Sequence, residues 1–382
     1  MILGKDRRNF THSPKLQNQD LLKTHNFDTH SLLRLLVLLY GTYLFGCVPQ
    51  TPTVNLPPAE PRQRGAHVFG ITDSTDFRRI QDLNVEWVTL VPWGFQPAYD
   101  SPKVSHHAGD STRRRAHDEH WIERIRQVRG AGFQVFLKPH VWIHDDSTGK
   151  WRSDIFPRND TDWQQWQDTY RDFILRYAGV AERAGAEMFC IGVEFSRLST
   201  EKPDYWRRLI REVRTVYSGR LTYAANWYRE YEDIEFWPEL DYIGVQAYFP
   251  LSDRSDPNRE TLLRGWEKHL NALESTAHRT GKRVVFTELG YRSTATAAIE
   301  PWSWMEHAAE NEESYAPQLQ ARCYEVFFEA VWTQAWFAGA HFWQFRADGR
   351  GEDNNYNLLD FTPLNKPAAE VLRRAFGAEE ER

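Results

Sequence analysis

Short apolar segments alternate with longer amphipathic segments along most of the chain from residue 65 onward. The short segments are apolar at successive positions, which is typical of strands in a parallel sheet that is buried on both faces. The longer segments repeat apolar residues every three or four positions, which predicts helices. Strands are expected at residues 67–71, 85–91, 134–137, 187–193, 220–225, 242–247, 283–287 and 340–342. Helices are expected at residues 77–83, 118–130, 163–183, 205–217, 261–279, 318–337 and 366–375.

This alternation predicts an α/β fold, and its eight strands predict a single (β/α)8 TIM barrel. A doubly wound sheet is the alternative for such a pattern, but it needs a glycine-rich phosphate loop after an early strand. The segment after the first strand reads Phe69-Gly70-Ile71-Thr72-Asp73, which is not such a loop. Nucleotide binding is therefore disfavoured.

The first 46 residues form a separate segment, which we interpret as a signal peptide. Its apolar run, residues 32–46, is interrupted early by Arg34 and is short for a transmembrane helix. The run ends at Leu44-Phe45-Gly46-Cys47, which resembles a bacterial lipobox and predicts lipidation of Cys47. The alternative is a plain signal anchor with an incidental cysteine. We therefore expect the protein in the bacterial cell envelope, lipid-anchored at the outer membrane or the extracellular face, with no other contact with the membrane. We also expect it to be a monomer.

A proline-rich stretch separates this segment from the barrel. Five of residues 48–64 are proline, which predicts an extended tether over 47–64 and places the barrel domain at 65–382. The net charge of the 382 residues is −6, and acidic and basic residues are interspersed, so a nucleic-acid partner is not expected. Three cysteines exclude a disulfide-built scaffold, and Cys190 and Cys323 are expected to be buried, inert thiols.

Chemistry in a TIM barrel collects at the carboxyl ends of the strands, and only two of the predicted strand ends carry an acid. These acids are Glu194, after the fourth strand, and Glu288, after the seventh. A salt bridge with Lys138 would explain either carboxylate alone, because a buried charge needs a partner. Two carboxyl groups about 5–5.5 Å apart suit glycoside hydrolysis with retention of configuration. Aromatic residues make up 14% of the chain and provide flat faces for sugar rings.

Polar and aromatic residues at the remaining strand ends are candidates for substrate binding. They are Trp93, Lys138, His140, Trp142, Asn226, Trp227, Tyr248 and Trp343. Core packing is the alternative explanation for each aromatic residue among them. Metal binding is disfavoured, since His106 and His107 lie in a polar loop and His140 and His144 do not share a helix. The oxygen-rich run at 348–355 lacks the spacing of a calcium loop and is expected to be a solvated loop. No cofactor is predicted.

Several segments, in their order and spacing, resemble the retaining glycoside hydrolases of clan A. The resemblance is closest to glycoside hydrolase family 113, known for β-1,4-mannanases, and covers about residues 65–376. It is carried by Ile-Gly-Val-Glu194-Phe, Phe-Thr-Glu288-Leu-Gly-Tyr, Leu-Lys138-Pro-His140-Val-Trp142, Gly244-Val-Gln-Ala-Tyr248, Phe342-Trp343-Gln344 and Lys366-Pro-Ala-Ala-Glu370.

The resemblance implies roles for the matching residues. Glu288 would be the nucleophile, Glu194 the acid/base, Tyr248 a donor to the nucleophile and Trp343 the platform under the cleaved sugar. Most of clan A has asparagine immediately before the acid/base, whereas this chain has Val193, as family 113 does. The group that binds the sugar 2-hydroxyl therefore stays open among Asn226, Lys138 and His140. Trp93, Trp142 and Trp227 would line further subsites.

The resulting prediction is a lipid-anchored retaining hydrolase that cleaves β-mannan or manno-oligosaccharides. Another β-glycan, such as galactan, glucan or an envelope glycan, is the alternative within the class. A non-catalytic glycan-binding lipoprotein and an envelope-assembly scaffold are the alternatives outside it. The segment 292–316, which contains Trp302 and Trp304, is expected to wall off one end of the cleft and to favour exo action or short substrates.

Overall fold

The computed structural model describes residues 55–71, 76–106, 111–145, 147–303, 314–346 and 358–378. The predicted signal peptide, Cys47, residues 48–54 of the predicted tether, His107, Trp304 and the run at 348–355 lie outside these residues. Signal sequence, lipidation and location therefore stay predictions. Within the described ranges, no helix is long and apolar enough to cross a membrane.

Eight parallel strands close into a barrel in chain order, as the alternating pattern predicts. Two further short strands, β3 and β5, pair with each other outside the barrel and were not expected. The strands are β1 (Gln63–Phe69), β2 (Trp87–Leu90), β3 (Trp93–Gln96), β4 (Gln134–Leu137), β5 (His140–Ile143), β6 (Met188–Val193), β7 (Arg220–Asn226), β8 (Tyr242–Gln246), β9 (Arg283–Leu289) and β10 (Phe337–Arg346). The (β/α)8 barrel is thereby confirmed.

Helices follow the barrel strands and cover the outside of the barrel. They are α1 (Asp76–Gln81), α2 (Ser111–Gly130), α3 (Asp160–Ala184), α4 (Ser196–Glu201), α5 (Pro203–Arg214), α6 (Glu230–Asp233), α7 (Arg259–Thr280), α8 (Pro317–Ala330) and α9 (Pro367–Gly377). Single 3₁₀ turns occur at Arg152–Asp154 and Trp237–Glu239.

The largest differences from the sequence prediction are in two helices and in the first and last strands, the last of which was expected at 340–342 and spans Phe337–Arg346. Helix α2 begins at Ser111 rather than residue 118, because its first half buries no apolar residue and so carries no helical periodicity. Helix α8 ends at Ala330 rather than residue 337, and Phe337 already pairs with Val284 in the barrel. In both cases the local pattern leaves the boundary of the helix open.

Strand β1 begins at Gln63, so the last two residues of the predicted tether belong to the barrel. Gln63 lies opposite Gly339 in the parallel ladder. The next residue, Arg64, is buried and donates to the carbonyl of Phe376. The sequence did not predict these first residues of the strand, because their side chains are polar but have partners inside the protein rather than in water.

The protein core lies in two layers, one inside the barrel and one between strands and helices. Cys190 in the inner layer and Cys323 in the outer one are buried free thiols, as predicted. Burial raises the pKa of Cys190 to about 12, so this thiol stays protonated at physiological pH. Helix α3 packs one aromatic face against the barrel, because Trp166, Tyr170 and Phe173 recur at helical spacing.

A buried histidine inside the barrel makes stability depend on pH. His341 lies 2.8 Å from Thr89 Oγ1 through Nδ1 and 2.8 Å from Gln63 Oε1 through Nε2. Gly65 leaves space for the ring, since a Cβ at that position would lie 2.3 Å from it. Burial, aided by the charge of Lys138, lowers the pKa of His341 from 6.5 to about 3.

We expect a His341→Gln variant to lose stability less steeply in acid than the parent protein. Because the folded-state pKa of His341 lies below its unfolded value, unfolding takes up a proton between these two pKa values. The contribution of His341 is therefore complete above about pH 6.5 and falls by about 1.4 kcal/mol per pH unit towards pH 3. Urea unfolding of both proteins at pH 7 and pH 5 measures how far the free energy of unfolding of each falls with pH. An equal fall in the two proteins would contradict this assignment.

Candidate active site

Glu288 lies at the end of β9 and is only 4% exposed. Each of its carboxylate oxygens accepts a hydrogen bond from a buried side chain. The Lys138 ammonium lies 2.6 Å from Oε1, and the Tyr248 hydroxyl lies 2.7 Å from Oε2. A carboxylate with a cation on one oxygen and a hydroxyl on the other is fixed in one orientation.

Lys138 uses all three of its protons within the protein. Besides Glu288, the ammonium donates to Gln246 Oε1 at 3.1 Å and to the Thr287 carbonyl at 3.2 Å, and the side chain is fully buried. Lys138 was predicted as a sugar contact, but these acceptors leave its ammonium no donor for a sugar. The salt bridge considered for Lys138 in the sequence is present, and Glu288 is its partner. Burial lowers the pKa of Lys138, and Glu288 opposes that shift.

Tyr248 and two histidines surround the same carboxylate. Burial and the charge of Glu288 raise the pKa of Tyr248 well above 10, so its hydroxyl remains a donor. The Nε2 atoms of His140 and His67 lie 3.7 Å and 3.9 Å from Glu288 Oε1. Burial and the charge of Lys138 lower the pKa of both histidines well below 6.5, which keeps both rings neutral. His67, on β1, was missed because its strand was recognised only by its apolar residues.

Glu194 directly follows β6 and adopts a left-handed backbone conformation, with φ of 57°. The residue is 8% exposed. Arg152 donates to Glu194 Oε2 from Nε at 3.2 Å and from Nη2 at 2.7 Å. This arginine comes from the 3₁₀ turn after β5, and its guanidinium also lies over the Trp151 ring at 4.4 Å. The sequence contained no signal for Arg152, because the turn lies in a polar loop without periodicity.

Asn226 and Trp343 lie at two further strand ends. The Asn226 amide donates to Ser153 Oγ at 3.3 Å, beside the turn that carries Arg152. Trp343 is 5% exposed, and its ring meets the His67 ring edge-on at a centroid distance of 4.9 Å. Tyr248 and Trp343 belong to one aromatic cluster, so the predicted platform and the predicted donor pack together.

Two groups of half-buried and exposed aromatic rings lie at and beyond the strand ends. Trp93, Trp142 and Trp151 meet edge-on in succession, with centroid distances of 5.8 Å and 6.2 Å. The second group consists of Trp227 and Trp302, which stack with a centroid distance of 5.1 Å and an angle of 21° between the rings. Trp142, Trp151 and Trp302 are each about two-fifths exposed, at 42%, 41% and 41%. Such rings offer apolar faces to sugars. Trp151 and Trp302 were not among the predicted site residues.

The histidines considered for metal binding have other contacts. His144 stacks on Phe95 at 5.4 Å, away from the Glu288 contact of His140. His106 lies 3.1 Å from Asp172 and 2.8 Å from Arg176. Across the described part of the chain, no three His, Cys, Asp or Glu side chains are grouped as metal ligands would be.

Comparison with known proteins agrees with this architecture. The solved structure of a GH113 β-mannanase from Alicyclobacillus acidocaldarius in complex with ManMIm matches with a TM-score of 0.70 and 27% identity, covering 84% of this chain and 98% of that one. A structure described as a complex of GH113 β-1,4-mannanase matches with a TM-score of 0.68 and 25% identity, covering 84% of this chain and 100% of that one.

A more distant match shows the fold alone. The β-glucuronidase of Ruminococcus gnavus, in complex with uronic deoxynojirimycin, has a TM-score of 0.55 and 13% identity, covering 85% of this chain and 52% of that one. The comparison with curated proteins finds no match. The sequence profile described as Glycoside Hydrolase Family 113 matches residues 64–366. With most of its length covered by this profile, the chain belongs to glycoside hydrolase family 113.

Proposed function

We propose that this glycoside hydrolase cleaves β-1,4-linked mannan or manno-oligosaccharides with retention of configuration, using Glu288 as nucleophile and Glu194 as acid/base. The observation that carries the proposal is the environment of Glu288, whose two oxygens are held by Lys138 and Tyr248. The mannan part rests on the two solved family structures, both described as β-mannanases.

In the first step, the Glu288 carboxylate attacks the anomeric carbon while the glycosidic C–O bond breaks. Glu194 gives its proton to the leaving oxygen, and a covalent glycosyl-enzyme forms. Lys138 and Tyr248 fix the attacking carboxylate, which removes the need to order it during the reaction. His67 and His140 remain neutral beside it and leave Lys138 as the nearest cation.

In the second step, Glu194 takes a proton from a water molecule. The water oxygen then bonds to the anomeric carbon as the bond between that carbon and Glu288 breaks. Two inversions at the anomeric carbon give net retention. Both donors of Arg152 contact Glu194 Oε2, so Oε1 is the oxygen we assign to proton transfer. The guanidinium stabilises the negative charge of Glu194 that this step requires.

Sugar binding falls to the neutral polar and aromatic side chains around the two carboxylates. Trp343 is the proposed platform under the cleaved unit, with His140 and Asn226 as candidates for its hydroxyl groups. The Trp93–Trp142–Trp151 and Trp227–Trp302 groups would support neighbouring units by offering flat apolar faces to the sugar rings.

A panel of glycans tests the proposed function. The full chain is incubated with β-mannan, glucomannan, galactan, cellulose and their oligosaccharides, and new reducing ends are measured. We expect hydrolysis of β-mannan and its oligosaccharides, with the β-anomer as first product by NMR. Hydrolysis of another glycan alone would overturn the mannan assignment but keep the mechanism. An α-anomer as first product would overturn the retaining mechanism.

A further inference from the structure

Glu230 is a buried carboxylate that the mechanism above does not use. It is 2% exposed and begins the short helix α6, just after the fifth barrel strand, β7. Oε1 accepts from the Tyr223 hydroxyl at 2.6 Å and from Ser199 Oγ at 2.7 Å. Oε2 accepts from the Asn226 backbone N–H at 2.7 Å and from Ser196 Oγ at 2.9 Å.

These four donors surround the backbone that carries Glu194. Ser196 and Ser199 lie in α4, which begins two residues after Glu194. The Tyr223 hydroxyl accepts from the backbone N–H of Phe195 at 2.8 Å, so its single proton is free for Glu230. One carboxylate thereby joins the end of the fourth barrel strand to the end of the fifth.

The backbone at Glu194 needs such support. A left-handed φ of 57° costs a residue with a Cβ about 1–2 kcal/mol, and it persists only where neighbouring contacts enforce it. The Glu194 N–H donates to the Ala224 carbonyl at 2.9 Å, and the next N–H is the one held by Tyr223. Both of these contacts come from the strand to which Glu230 is bonded through Asn226.

We propose that Glu230 is a positioning residue that holds the Glu194 carboxyl group in the orientation required for proton transfer. This inference rests on the proposed role of Glu194 as acid/base. A carboxylate suits the task because each of its oxygens faces one donor that is not free to turn away, Tyr223 on Oε1 and Asn226 on Oε2. Burial raises the pKa of Glu230, and the four donors oppose that shift.

Glutamine at this position supplies only one oxygen. Its amino group must face either the Tyr223 hydroxyl or the Asn226 N–H, so one of these two donors loses its acceptor. The serine hydroxyls are free to rotate and adapt. A Glu230→Gln variant therefore tests the support of Glu194 with little change of volume.

The leaving group distinguishes a positioning role from general destabilisation. We expect Glu230→Gln to lower kcat/KM about 10- to 100-fold on an unactivated oligosaccharide, because a small misplacement of a catalytic group has that effect. On a dinitrophenyl glycoside of the same sugar, whose leaving group needs no proton, kcat/KM should change less than about threefold. Glu187→Gln is the control. Glu187 is also a carboxylate that accepts from a backbone N–H, that of Val135, but it lies just before the start of β6, whereas Glu194 follows the end of that strand. This variant should leave both substrates unaffected.

A Glu194→Ala variant keeps the two proposals apart. Its kcat/KM should fall about 10²- to 10⁴-fold on the oligosaccharide and far less on the dinitrophenyl glycoside. If Glu194→Ala shows no such selectivity, the proposed function fails. If Glu194→Ala is selective but Glu230→Gln lowers kcat/KM equally on both substrates, or on neither, the inference about Glu230 is overturned. Should Glu230→Gln not fold, Tyr223→Phe removes the link to Phe195 and must show the same selective loss.

Discussion

Replacing Glu288 by glutamine is expected to abolish hydrolysis, with a loss of kcat of about 10⁴-fold or more. The amide has no charge with which to attack the anomeric carbon, so the covalent intermediate does not form. Glutamine keeps the volume of the side chain and an oxygen for Lys138, which makes this variant preferable to alanine for folding. Circular dichroism and release of reducing ends from β-mannan are the two measurements.

The stereochemistry of chemical rescue identifies the nucleophile directly. In Glu288→Ala, azide can occupy the space of the missing carboxylate and displace an activated leaving group in one inversion, which gives the α-glycosyl azide. In Glu194→Ala, azide replaces water in the second step and gives the β-glycosyl azide. Glu187→Gln, at the opposite end of the barrel, should behave as the parent. Residual activity above about 1% in Glu288→Gln, or a β-azide from Glu288→Ala, would contradict the assignment.

Replacing Lys138 by methionine is expected to reduce both stability and turnover. The substitution leaves the Glu288 carboxylate buried without its nearest cation, which costs about 3–5 kcal/mol of unfolding free energy. It also removes the donor that fixes Oε1, for which we expect a fall of about 10²- to 10³-fold in kcat. Urea unfolding and kcat corrected for the folded fraction separate these two effects.

The chain offers a matched buried pair as the control. Lys366 donates to Asp360 Oδ1 at 3.2 Å, and both side chains are less than one-tenth exposed. Lys366→Met should therefore lose stability to a similar extent but keep kcat of the folded protein within about threefold. If the two lysine variants lose kcat alike, Lys138 acts on the fold rather than on Glu288.

The barrel could be predicted because its strands are short, apolar and regularly spaced. The two acids stood out for the same reason, since Glu194 and Glu288 each end an apolar strand. The paired strands β3 and β5 were missed because only four residues in each contact a partner, and the surrounding loops are polar. The end of α8 was misplaced because residues 331–337 are apolar enough to suit either a helix or the strand that follows.

By itself, the sequence determined the barrel, the two strand ends with carboxylates and the aromatic character of the site. Only the tertiary structure decided that Lys138 donates to Glu288, that Arg152 donates to Glu194 and that Glu230 accepts from Ser196, two residues after Glu194. The reason is that periodicity reports the burial of neighbouring residues, whereas these partners are separated by 150, 42 and up to 34 positions along the chain. Closure of the barrel brings them together, and no local pattern records which donor meets which carboxylate.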